Sequence, residues 1–186
     1  MKQLTTPFLI NLIGFQLLWP AAVLGAAHGA PQLAWWVLVA MLVLMGLTGA
    51  DWKRDSGMVL AGFLVCALLE PVWLGGGFIS YVDSSSEWVA PGWIWALWGG
   101  FSVSFFYCLR WLQQRPILAA VFGGVGGGLS VWMGVRLGAA EAPLGVLTLM
   151  LVYGGLWAFI VPLFAALARF LQSRSPRLDD GVGDNV

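Results

Sequence analysis

Apolar residues in this chain gather into runs that no aqueous core could absorb. Six stretches stand out: Phe8–Ala27, Leu33–Ala50, Met58–Tyr81, Trp93–Leu112, Pro116–Leu137 and Leu144–Ala168. Each is close to the roughly 20 apolar residues that a helix rising about 1.5 Å per residue needs to cross a bilayer. The pieces between them, "HGAPQ", "DWKRDSG", "VDSSSEWVAPG", "QQRP" and "GAAEAP", are short and rich in turn formers. The pattern predicts an all-α, polytopic membrane bundle of six transmembrane helices over residues 1–168, with a polar, disordered cytoplasmic tail over 169–186. Lys2 ahead of the first run imitates a signal peptide. That run is long, however, and carries Asn11, Gln16 and Pro20, so it reads as a retained helix.

Charge sets the expected orientation. With the N-terminus inside, Lys2, Lys53, Arg54, Arg110, Arg115, Arg169, Arg174 and Arg177 fall on the cytoplasmic side, and Arg136 alone falls outside. That asymmetry predicts both termini in the cytoplasm and an even number of helices. Only 10% of the 186 residues are charged, against about a quarter in soluble domains. Net charge is zero and no basic stripe exists, which argues against nucleic acid as a partner. His28 is the only histidine, so histidine-rich di-iron, bis-histidine haem and intramembrane zinc chemistry are excluded. No metal or cofactor is expected. Cys66 and Cys108 lie in apolar runs and read as packed thiols.

Glu70, followed at once by Pro71, is the one acid deep inside an apolar run. Counted from the cytoplasmic end, it lies about 20 Å up the third helix, past the midplane. A charged carboxylate there costs on the order of 2.5–3.5 kcal/mol. Either the group stays protonated, or it faces the bundle and pairs with donors. The same counting places Gln16, Ser102, Ser130 and Tyr153 in a similar layer. These residues read as hydrogen-bonding glue between helices or, with Glu70, as the lining of a small cavity. Pro71 with Gly75, Gly76 and Gly77 predicts a kinked or broken helix beside a hydrated opening on the outer side.

The "GGVGGG" run lacks the Lys-Ser/Thr of a phosphate-binding loop. Gly123 with Gly127, Gly124 with Gly128 and Gly134 with Gly138 instead read as surfaces for close helix packing. Arg110 and Arg115 flank the inner end of the fourth helix and are expected to meet lipid phosphates. Arg136, at the outer end of the fifth, snorkels to headgroups or binds an anionic headgroup or Glu141. Trp35, Trp36, Trp88, Trp93 and Trp95 cluster at the outer boundary, as a lopsided aromatic belt or as the wall of an outward pocket.

Three stretches carry a resemblance: "NLIGFQLLWPAAVLGAA", "PGWIWALWGGF" followed by "LRWL", and "GGVGGGLSVWMGVRLGAA". In this order, from about Leu9 to Leu167, they resemble an uncharacterised bacterial family of integral inner-membrane proteins, domain of unknown function 2878 (DUF2878). The resemblance implies an acidic residue on the third helix, met here by Glu70. Members often carry Asn-His on the fourth helix, where this chain has Phe106-Tyr107, and Gly-Pro and a Tyr where it has Gly128 and Val131. These departures weaken any histidine chemistry common to the family. The resemblance also implies a setting beside enzymes that modify fatty acyl chains. The expected function is thus an accessory or scaffold protein linked to lipid modification or handling. Membrane lipids and acyl-modifying enzymes are its expected partners, and a homo-oligomer stays open. The alternatives are a small proton-linked carrier using Glu70 and a lipid-active enzyme, for which no catalytic constellation is present.

Overall fold

A computed structural model describes residues 5–174 apart from 83, 85 and 87. Six helices follow in order: α1 (Thr6–Ala27), α2 (Leu33–Leu47), α3 (Trp52–Gly75), α4 (Gly92–Ser104), α5 (Pro116–Arg136) and α6 (Val146–Arg174). The strands β1 (Ser80–Tyr81) and β2 (Ala140–Glu141) join the loops after α3 and α5 as an antiparallel ribbon, with Tyr81 opposite Ala140. Local chemistry explains the boundaries. Pro116 opens α5, where its missing N–H costs nothing. The Asp51 side chain accepts from the Arg54 N–H at 3.1 Å, so α3 begins six residues before the expected Met58. Thr48 Oγ1 donates to the Leu44 carbonyl at 2.8 Å and Gly49 has φ +95°, which stops α2 at Leu47.

Four helices, α1, α3, α5 and α6, are long and apolar enough to cross a membrane. The other two fall short of the expected spans. α2 has 15 residues and α4 has 13, or about 22 and 20 Å. The expected fourth span divides: α4 ends at Ser104, turns fill 105–109, and a 3₁₀ helix covers Arg110–Gln114. Pro71 does not break α3, which runs through it to Gly75; Gly76 caps the helix and Gly77, at φ +67°, reverses the chain. α6 continues to Arg174, so the first six residues of the expected tail are helical. Residues 175–186 lie outside the described residues.

α4 is the central element, with Trp93, Trp98, Gly99, Gly100 and Val103 all buried. It lies against α3 at Gly62, where a Cβ would stand 2.6 Å from the Trp98 carbonyl oxygen. α5 and α6 form a tight hairpin. Gly123 and Gly127 face Trp157, Gly124 faces Gly154, and Gly128 faces the Met150 carbonyl. Gly134 and Gly138 take no part in that contact, contrary to expectation: nothing crowds Gly134, and Gly138 lies past the helix end at φ +82°. The hairpin meets the remaining helices mainly through long side chains. Trp98 stacks on Trp157 (5.0 Å, 21°), Phe105 on Phe164 (5.8 Å, 20°), and Trp73 contacts Tyr153 at 4.8 Å.

Two stripes divide α3. Met58, Gly62, Cys66 and Glu70 face inward, while Leu60, Leu64, Leu68 and Val72 are exposed. Ile117, Val121, Val125 and Leu129 make a similar exposed row on α5. Such rows suit hydrocarbon, and with four helices long and apolar enough to span a bilayer the pattern is that of a membrane protein. Gly123→Leu is expected to destabilise the protein by about 1–3 kcal/mol or more through overpacking. Gly155→Leu, where a Cβ meets nothing, should be neutral. Thermal unfolding in detergent micelles, followed by circular dichroism, checks the pair.

Candidate functional site

Because α3 starts early, Glu70 stands about 27 Å along it, in the last two turns. The side chain is 1% exposed. Trp98 Nε1 donates to Oε1 at 2.9 Å and the Tyr81 hydroxyl donates to Oε2 at 2.8 Å. No basic side chain reaches it; the one ion pair among the described residues is Arg54 with Asp55. Tyr81 is itself held by the ribbon and packs edge-on to Trp93 (5.3 Å, 81°). The carboxyl therefore ties α3 to α4 and to the loop between them.

Beside it lies a cavity of about 410 Å³, bounded by α1, α3, α4 and the α5–α6 hairpin. Gln16, Glu70, Ser130 and Tyr153 lie on its wall; Ser102 does not. The Ser102 hydroxyl donates to the Gly99 carbonyl at 2.9 Å and sits against Gly62, at the α3–α4 contact. Trp19 Nε1 donates to Ser130 Oγ at 2.8 Å and bridges α1 to α5. Rings of Trp19, Trp93, Trp98 and Trp157 make up much of the remaining wall. Gly126 and Gly134 also line it and would direct a side chain into open space, so their missing side chains make the room. Gln16, halfway along α1, and Phe122 on α5 line the cavity and are exposed. They mark its mouth on the flank of the bundle, between α1 and α5.

A second polar cluster occupies the opposite end. Asp55, 2% exposed, accepts from the Tyr107 hydroxyl and from Arg54 at 3.0 Å. The Arg54 guanidinium also donates to the Tyr107 hydroxyl at 3.0 Å and lies 4.4 Å over the Phe106 ring. Asn11 is fully buried, donates to Ser104 Oγ at 3.2 Å and accepts from the Cys108 N–H at 3.3 Å. Gln113 donates to the Phe105 carbonyl at 2.8 Å. These side chains satisfy the backbone where α4 stops. Arg110 and Arg115 are exposed beside the cluster and line a pocket with Arg54, Tyr107 and Trp111. Arg136 is exposed in the last turn of α5 and makes no ion pair with Glu141.

Depth counting finds Glu70 but not its partners. Trp98 and Tyr81 stand inside the fourth and third apolar runs with nothing in their spacing to single them out, and Asp55 falls in the "DWKRDSG" connector. Asn11, an amide inside an apolar run, was the available signal for the cluster under α4. Fold and site together define a helical membrane protein with an aromatic cavity between its helices. The model of a family described as protein of unknown function (DUF2878) matches residues 8–163, and the chain belongs to that family. No curated protein and no solved structure matches it.

Tyr81→Phe and Trp98→Phe each strip one carboxyl oxygen of its donor. Each is expected to cost about 1–3 kcal/mol, and the double substitution should be non-additive because one carboxyl is shared. A double-mutant cycle in detergent unfolding measures both.

Proposed function

We propose that this protein crosses a bacterial inner membrane six times with both termini cytoplasmic, and that it holds a lipophilic molecule, the acyl chain of a membrane lipid, in the cavity beside Glu70. In this reading it is an accessory protein of lipid handling, with membrane lipids and membrane-associated acyl-modifying enzymes as partners. One observation carries the proposal. The cavity, walled largely by tryptophan rings and glycine backbone, opens on the flank of the bundle at mid-height. Its volume of about 410 Å³ lies in the range of small-ligand sites. A mouth on an exposed apolar flank favours entry from hydrocarbon over entry from water.

The short α2 and α4 are compatible with six crossings. α4 is shielded by its neighbours, and the non-helical chain after it has its polar groups met by Asn11 and Gln113. Irregular backbone is tolerated at membrane depth under those conditions. Proton-linked transport through Glu70 is less well supported, since both carboxyl oxygens have donors and the side chain is 1% exposed.

A phospholipid carrying a diazirine in its acyl chain should crosslink to Trp19, Phe122 and Trp157, and excess unlabelled lipid should compete the label away. Labelling confined to the outer stripe of Leu64 and Leu68 rejects the proposal. Reporters at the two ends of the chain are expected on the same, cytoplasmic face.

A further inference from the structure

The pocket at the opposite end lies between the start of α1, the start of α3 and residues 106–115 that lead into α5, and the cavity shares α1 and α5 above it. Thr5, just before α1, and Phe8 on it line the lower pocket, and Phe15, Gln16 and Trp19 of α1 line the cavity above. Trp111 belongs to the pocket and Phe122 to the cavity, and the two rings touch edge-on at 6.0 Å. The two linings thus touch through this aromatic pair.

The lower pocket, about 690 Å³, is lined by Arg54, Arg110 and Arg115. Arg54 is fixed by Asp55, Tyr107 and Phe106, and Asp55 offsets its charge. Arg110 and Arg115 have no acidic partner among the described residues, which leaves two uncompensated guanidinium groups beside a fixed third. Guanidinium forks match phosphate oxygens in geometry as well as charge. Trp111, 45% exposed, supplies the amphipathic ring that favours headgroup depth.

We infer that pocket and cavity together take one molecule, a phospholipid with an anionic headgroup: its phosphate meets Arg54, Arg110 and Arg115, and one acyl chain runs up the α1–α5 seam past Trp111 and Phe122. From Arg115 to Gly126 along α5 is about 16 Å. One leaflet's share of the hydrocarbon core is about 15 Å, so a single chain covers the distance. The inference rests on the acyl-chain reading of the cavity and adds the headgroup and the leaflet.

The test is native mass spectrometry of the full chain in detergent, with dioleoyl phosphatidylglycerol and dioleoyl phosphatidylcholine as probes. The unaltered protein should retain phosphatidylglycerol about tenfold or more in preference to phosphatidylcholine. Arg110→Ala with Arg115→Ala should abolish the preference while lipid is still retained, and Arg110→Lys with Arg115→Lys should keep part of it. Gly126→Leu should lower retention of both lipids. Equal retention by the unaltered protein, or a preference that survives the double alanine change, overturns the headgroup inference and leaves the cavity reading standing. Retention unchanged by Gly126→Leu overturns the cavity reading and this inference with it. Displacement of phosphatidylglycerol by an equal concentration of glycerol phosphate marks a free-phosphate site and overturns the inference alone.

Discussion

One carboxyl group organises the ribbon-bearing half of this protein. Glu70 is the residue most costly to bury in a bilayer, and its two oxygens are met by donors from two different segments, the Trp98 indole of α4 and the Tyr81 phenol of β1. A hydrogen bond to a lone hydroxyl could be lost and replaced by another neighbour. A carboxyl in hydrocarbon has no such substitute, so its position dictates where both partners must stand. Trp98 in turn stacks on Trp157 of the α5–α6 hairpin, and Tyr81 packs on Trp93. The cavity wall is built outward from this anchor.

The opposite end solves a different problem by similar means. α4 stops well short of a full span, and its freed backbone groups need partners. Asn11 and Gln113 supply them, while Asp55, Arg54 and Tyr107 close the adjoining corner. Both ends therefore use polar side chains on apolar helices to fix irregular chain, and the apolar middle is left to packing.

Much of this was legible in the residues. The six apolar runs gave six helices, because run length and connector composition act locally. The close packing at Gly123 and Gly127 followed from spacing alone, whereas Glu70 stands about 27 Å along α3 and not the expected ~20 Å, because Asp51 starts the helix early. The early end of α4 was not legible, since no glycine or proline marks Phe105–Leu109 and the cause lies on α1 at Asn11. Pro71 and the glycines after it divide the expected break between them: α3 runs through Pro71 and ends at Gly75, where the φ +67° turn at Gly77 follows. Nor could spacing separate glycines that pack, such as Gly123, from glycines that leave a void, such as Gly126. That difference depends on which helix stands opposite.

The seam between the α5–α6 hairpin and the other helices has one further consequence. Flat rings such as Trp98 on Trp157 and Phe105 on Phe164 meet as stacked faces, which favour an offset arrangement but do not interlock. Interlocked glycine contacts, like those inside the hairpin, resist sliding; stacked faces resist it far less. The Tyr81–Ala140 ribbon and the Trp19–Ser130 hydrogen bond pin the hairpin across that plane, so the freedom to adjust the cavity's width falls to the ring faces between those two ties.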